Sequence, residues 1–192
     1  MKILGLITAR KNSKRLPGKN IMLLGEFPLV KYTIDAAVHS NLDDVAVSTD
    51  DLDVCNIAND YSNVFQIMRY SYLCEDRTPH LYVVYHALEY LKHYTKIEPD
   101  AIMILQPTSP FRTEEHINQA IELMQKTQCD TVVGIEDGKD KYHGAMYLFK
   151  TSLLLSKTPT IYGKHVVPLI MSHRASVNID TLEDFNEAKK LL

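Results

Sequence analysis

Lys2-Ile-Leu-Gly-Leu-Ile-Thr8 is a short apolar run, and it breaks into a polar loop, Ala9-Arg-Lys-Asn-Ser-Lys-Arg-Leu-Pro-Gly-Lys-Asn20. A run of this length with no polar side predicts a strand covered on both faces, as in a parallel sheet. Beyond it the period changes. From Pro28 onward, Val30, Ile34, Ala37 and Val38 share one helical face. Asp44–Thr49 reads as a second buried strand, and Asp51 as the cap of a helix over about residues 52–60. Residues 63–68 make a third, weaker strand. Leu81, Val84, Tyr85, Leu88 and Leu91 define a long amphipathic helix, and Ala101–Leu105 is the most apolar strand. Thr113, with Glu114 and Glu115 behind it, opens a helix whose core face is Ile117, Ala120, Ile121 and Met124. Thr131–Ile135 and Ala145–Phe149 are further strands, with residues 134–144 read as a polar loop and 156–165 as turn-rich. Thr181–Asp184 opens a last helix, with Phe185, Ala188 and Leu192 inward. Strands alternating with helices predict an α/β fold, a doubly wound and mostly parallel sheet with helices on both faces.

The chain has 192 residues and no linker long enough to divide it, so one domain over 1–192 is expected. Hydrophobic residues are 45% and charged residues 23%, which excludes disordered and fibrous classes. A net charge of −3 argues against a general nucleic-acid binder. Cys55, Cys74 and Cys129 form neither a zinc spacing nor a disulfide framework, which points to a reducing compartment. No stretch approaches the ~20 apolar residues of a membrane span. A soluble, cytoplasmic protein is the expectation.

Three segments carry candidate chemistry. In the first loop Arg10, Lys11, Lys14, Arg15 and Lys19 occur without one acid, and Asn12, Ser13 and Gly18 add donors and backbone freedom. A single-sign cationic loop at the carboxyl edge of such a sheet suits a polyphosphate, and it is not a Walker loop. Leu105-Gln-Pro-Thr-Ser-Pro-Phe-Arg112 makes a stiff polar rim. Gln106 offers a paired donor and acceptor, and Thr108 and Ser109 add hydroxyls. A ligand-reading rim and a plain rigid connection are equally consistent with it. In Ser176-Val-Asn-Ile-Asp-Thr181, Asn178 and Asp180 project to one face of an extended chain. That pair suits a hard cation such as magnesium, but one carboxylate and one amide are a weak signal, and spacing alone favours the reading in which Asp180 only caps the final helix. Ser48-Thr49-Asp50-Asp51 ends the second strand on the same edge, where Asp50 could face the site, although helix capping explains much of that segment.

Together these segments resemble the acylneuraminate cytidylyltransferases, the CMP-sialic acid synthetases. The family signature P-A-R-x-x-S-K-x-L-P-x-K-N is matched from Thr8 to Asn20, and L-Q-P-T-S-P-x-R from Leu105 to Arg112. S-T-D is matched by Ser48–Asp50, and D-I-D-T-x-x-D by Asn178–Thr181 with Asp184. The resemblance implies a Rossmann-like fold of the nucleotide-diphospho-sugar transferase type. It also implies a magnesium-dependent reaction in which a 2-keto sugar acid attacks CTP, giving a CMP-sugar acid and pyrophosphate. It assigns Arg10, Ser13, Lys14, Lys19, Asn20 and Arg69 to the nucleotide, and Gln106, Thr108 and Ser109 to the sugar acid. Asp180, with Asn178, falls to the metal, and Arg10, Lys14, Lys19 and Asp180 to catalysis. Thr8 stands for the family's proline, Asn178 for its first aspartate, and His143-Gly144 for its Asn-Gly. The segment before Gly144 is also short: only Glu136–Tyr142 remain where the family carries an excursion that builds its dimer contact and part of its sugar pocket. A homodimer, a different sugar or alcohol acceptor, and a nucleotide-binding module without catalysis all remain open on sequence.

Overall fold

The computed structural model describes residues 1–75 and 77–192. In chain order the elements are β1 (Ile3–Ala9), β2 (Leu23–Leu24), β3 (Phe27–Pro28), α1 (Leu29–Val38), β4 (Asp44–Thr49), α2 (Leu52–Ala58) and β5 (Val64–Met68). Then come α3 (His80–Thr95), β6 (Ala101–Leu105), α4 (Glu114–Thr127), β7 (Thr131–Glu136), β8 (Tyr142–Lys150), β9 (Val166–Met171) and α5 (Leu182–Lys189).

Seven strands form one sheet in the order β5-β4-β1-β6-β8-β7-β9, while β2 and β3 pair separately. The β5-β4-β1-β6 half is parallel throughout. β8 then runs antiparallel to both β6 and β7, and β9 returns parallel to β7. The sheet is thus mostly parallel, as expected.

The alternation along β1 shows why its run is apolar on both sides. Ile3 and Ile7 point into a layer with Val30 and Ile34 of α1 and with Ile117, Ile121 and Met124 of α4. Leu4 and Leu6 point the other way, to Val84, Ala87 and Leu91 of α3. β6 divides likewise, with Met103 and Leu105 in the first layer and Ile102 and Ile104 in the second. Helices therefore cover both faces. A third apolar cluster joins Leu16 of the first loop to Leu24, Leu29, Ile179 and Phe185. It ties the chain's two ends together beside the carboxyl edge of β1.

Three expectations change. Residues 134–144 are not all loop: β7 runs to Glu136 and β8 starts at Tyr142, leaving only 137–141 as the connection. The glycines there serve close packing, since a Cβ on Gly134 would lie 2.8 Å from His143 Cε1. β9 was not foreseen. It is an edge strand: its run Val166-Val-Pro-Leu-Ile-Met171 is apolar throughout, but Pro168 sits inside it and cannot donate to a ladder, and Ile170 is exposed. Leu192 lies beyond α5 and is exposed.

The last helix also resolves an ambiguity. Its N-cap is Thr181, whose hydroxyl accepts from Asp184 N at 3.2 Å while Asp184 accepts from Thr181 N at 2.8 Å. This reciprocal capping leaves the side chain of Asp180 outside the helix. We expect Thr181→Ala to lower stability by about 1 kcal/mol, read as a shifted urea midpoint at unchanged slope.

Candidate active site

The cationic loop leaves β1 at the centre of the carboxyl edge. Its path is fixed by bonds to its own backbone. Lys11 N donates to Asp50 Oδ1 at 2.7 Å, and Asn20 Nδ2 donates to Arg10 O at 2.9 Å. Leu16 is buried in the third cluster. Gly18 then takes a left-handed conformation, φ 67°, and starts the turn that carries Lys19. With backbone and leucine anchored, Lys11, Lys14 and Arg15 stay exposed along the edge while Lys19 turns inward. Asp51 caps α2 by accepting from Asp53 N, and Asp50 holds the loop.

Lys19 reaches across to the C-terminal segment. Its Nζ lies 2.9 Å from Asp180 Oδ1 and 3.1 Å from Ile179 O. Arg15 Nη2 lies 2.9 Å from Asp180 Oδ2, and Asn178 Nδ2 donates to the same oxygen at 2.8 Å. Burial alone would raise the Asp180 pKa; the contacts to Lys19, Arg15 and Asn178 outweigh it and hold the carboxyl below its usual range. The Lys19 pKa is lowered too: burial is the largest cause and Arg15 and Arg10 add to it, against the hydrogen bond and charge of Asp180. Burial weighs more on Lys19, which is 11% exposed against 24% for Asp180. At 2.9 Å the contact has the length of a charge-assisted hydrogen bond.

Arg69 closes another wall. Its Nε donates to Ser48 Oγ at 2.8 Å and its Nη2 to Ser48 O at 2.6 Å. Burial brings its pKa down to about 10, which still leaves it charged at neutral pH. Nearby His80 has its pKa lowered by desolvation, then by Arg69 and Arg10, which favours the neutral ring.

These groups line one cleft of about 480 Å³. It brings together Arg10, Ser13, Lys14, Lys19, Asn20, Arg69, Gln106, Thr108 and Asp180 from the sequence reading. Ser109 is fully buried and Asn178 is exposed, and neither lines the cleft. Arg15, Glu75, Thr78 and His80 line it without having been singled out. Arg15 was visible as one of five loop cations, but its aim at Asp180 depends on two segments far apart in sequence.

A model of the family described as cytidylyltransferase matches residues 4–190. The chain belongs to the cytidylyltransferase family. It is 29% identical to the CMP-N,N'-diacetyllegionaminic acid synthase of Legionella pneumophila, over 229 residues, covering 100% of this chain and 97% of that one. It is 28% identical to the pseudaminic acid cytidylyltransferase of Campylobacter jejuni, with 100% and 96% covered. It is 30% identical to the N-acylneuraminate cytidylyltransferase of Escherichia coli, with 97% of this chain and 51% of that one covered. Among solved structures, CMP:2-keto-3-deoxy-manno-octonic acid synthetase complexed with CTP superposes with a TM-score of 0.76 at 14% identity, covering 100% and 98%. A Mycobacterium tuberculosis protein in complex with manganese reaches 0.73 at 14% identity, both chains fully covered. These two show the fold.

Behind Gln106 this cytidylyltransferase buries a whole arginine. Arg112 is 1% exposed, and burial brings its pKa down to about 9. Its Nη1 donates to Ala145 O at 2.9 Å and, at longer range, to the carbonyls of Gln106 and Ser109. On the other side of the wall, a Cβ on Gly144 would overlap Gln106 Oε1 and lie 3.2 Å from its Cδ. Gly144 therefore gives the Gln106 amide its room. Among the described residues, Thr108 Oγ1 has no hydrogen-bond partner although it is buried in the cleft wall. Such a group normally finds a partner, so it suits a ligand atom.

His143 is no base for Ser176. Its Nδ1 accepts from Ala145 N at 3.2 Å, so Nε2 carries the proton and donates to Ser176 Oγ at 3.2 Å. Among the described residues no three or more His, Cys, Asp or Glu side chains gather to hold a metal, and no helix is long and apolar enough to cross a membrane.

Asp180 yields a pH expectation. A carboxyl whose folded pKa is depressed contributes stability that is present above its unfolded pKa, near 4, and is lost as pH falls through the folded value. We expect wild type to exceed Asp180→Asn in urea midpoint at pH 7, and the gap to shrink below about pH 4. A gap independent of pH would show that the carboxylate charge plays no part.

Proposed function

We propose that the chain transfers the cytidylyl group of CTP to the anomeric hydroxyl of a 2-keto sugar acid of the sialic-acid-like class. The carrying observation is the convergence of the loop cations, Arg69 and Asp180 on one cleft whose other wall holds Gln106 and Thr108. The names of the three relatives, all enzymes of such acids, support the same class. On this reading Arg10, Lys14 and Lys19 bind the triphosphate and neutralise charge as a bond forms from the acceptor oxygen to the α-phosphorus and the bond to pyrophosphate breaks. Such transfers depend on positioning and charge more than on covalent chemistry by the protein. Gln106 and Thr108 orient the acceptor by hydrogen bonds.

Magnesium fits the donors present. Asp180 is free of helix capping and ionised, and Asn178 beside it carries an amide oxygen. One carboxylate and one amide suit a cation that takes the rest of its ligands from water and phosphates. The manganese in the mycobacterial structure is consistent with a divalent ion. The ion, when bound, would polarise and orient the triphosphate oxygens. Asn178 in place of a second acid also supports a rival reading, a nucleotide-binding module without turnover.

Pyrophosphate release from each of the four nucleoside triphosphates, against a panel of 2-keto sugar acids, separates these. We expect release with CTP and at least one acid. CTP binding without release from any acceptor favours the module. Lys19→Ala should lower the rate at subsaturating CTP about ten- to hundredfold, the equivalent of roughly 1.5–3 kcal/mol for a charge-assisted contact. Its low exposure and two bonds mean that some stability is lost too. Gly144→Ala should raise the acceptor KM and leave the CTP KM unchanged, because the three atoms nearest the new Cβ all belong to Gln106. Equal effects on both constants would disconnect Gln106 from the acceptor.

A further inference from the structure

Arg15 occupies the variable position of the cationic loop, yet the structure gives it a specific partner. Both oxygens of Asp180 are already engaged within the chain: Oδ1 by Lys19, and Oδ2 by Arg15 at 2.9 Å and the Asn178 amide at 2.8 Å. The two cations are held differently. Lys19 is enclosed and bonded a second time, to Ile179 O. Arg15 is 65% exposed on a long flexible stem. A divalent ion approaching Asp180 meets the guanidinium first as a competitor for Oδ2 and second as a like charge.

We propose that Arg15 is a movable counter-charge on the metal-binding carboxylate. It competes with the divalent cation for Asp180 and transfers to the triphosphate, so that cation and nucleotide bind cooperatively. A guanidinium prefers the forked, doubly charged geometry of phosphate to one oxygen of a partly buried carboxylate. Once it moves, Oδ2 is relieved of one donor and the site of one positive charge. Thermodynamic reciprocity then requires the cation to tighten nucleotide binding by the same factor that the nucleotide tightens the cation. The proposal rests on the reading of Asp180 as a cation ligand, and on CTP as the nucleotide.

The test is direct binding of Mn²⁺, followed by the electron paramagnetic resonance of the free ion, in wild type, Arg15→Met and Asp180→Asn. Each is measured alone and with CTP, with circular dichroism to confirm folding. Arg15 is exposed, so its methionine variant should fold. Without nucleotide, Arg15→Met should bind Mn²⁺ roughly five- to tenfold tighter than wild type, and Asp180→Asn should lose that binding. With CTP the wild type should gain more Mn²⁺ affinity than Arg15→Met does. Equal Mn²⁺ affinity of wild type and Arg15→Met without nucleotide overturns the proposal, as does full Mn²⁺ binding by Asp180→Asn or none by any of the three. Equal gains from CTP in the two also overturn it. If CTP does not bind at all, the functional reading and the transfer step fail together. In that case the nucleotide-free comparison still reports whether Arg15 competes for Asp180.

Discussion

The carboxylate of Asp180 is the point at which the two ends of the chain are made to agree. Lys19 and Arg15 come from the loop after β1, and Asp180 from the segment before α5. The Arg15 pair, whose cation is 65% exposed, adds little stability, about 0–1 kcal/mol. What holds the segments is the apolar cluster of Leu16, Ile179 and Phe185, together with the bond from Ile179 N to Thr108 O at 2.8 Å. The division of labour follows from alternation. Ile179 points into the cluster, so Asp180, next along an extended segment, points away from it and toward the cations. Hydrophobic burial positions the charges, and the charges are left available for chemistry.

The opposite wall is built by the reverse tactic, a charge buried to hold backbone. Three carbonyls, from Gln106, Ser109 and Ala145, converge where no strand pairing serves them all, and Arg112 supplies the donor. Burying a cation without a carboxylate is costly. The depressed pKa, about 9, expresses that cost, yet it leaves the group charged near neutrality. The arrangement joins the rim that carries Gln106 to β8. Because Gly144 lies against the amide on that same strand, the side chain is confined from behind as well as from below. A prolyl loop alone would be stiff in backbone but would leave the glutamine free to turn.

Most of the sheet was legible because its central strands are buried on both faces and interrupted by loops at regular intervals. β9 was not, although Val166–Met171 is apolar throughout, because Pro168 in the middle of the run argues against a strand on local grounds and only an edge position tolerates it. The β7–β8 region misled for a related reason. Gly134 and Gly144 read as turn residues, whereas here they make room for His143 and Gln106. The candidate site was legible as residue types, namely a single-sign loop, a polar rim and one acid. Its connections were not. The Thr181 cap of α5 is a local Thr-x-x-Asp box, but that Arg15 meets Asp180 and that Arg112 reaches Ala145 from beneath Gln106 depend on contacts between distant segments. Local periodicity carries no trace of those contacts.

The two ends of the cleft therefore differ in kind. The end facing the loop offers charges on flexible stems around Asp180, a set that suits phosphate and tolerates small shifts. The end facing the rim offers neutral groups held rigidly, the Gln106 amide and the unpartnered Thr108 hydroxyl. On the proposed reading this asymmetry assigns tightness and selectivity to different walls. Charge attracts any triphosphate, so the loop alone supplies affinity with little discrimination. A fixed hydrogen-bonding group rejects a ligand that leaves it unpaired far more strongly than an apolar surface rejects a misfit. The connection between β7 and β8 is only residues 137–141, so that region of this chain has little backbone with which to enclose an acceptor. Acceptor choice must then rest on a few rigid groups, which makes the confinement of Gln106 by Gly144 and Arg112 a condition of selectivity as well as of local packing.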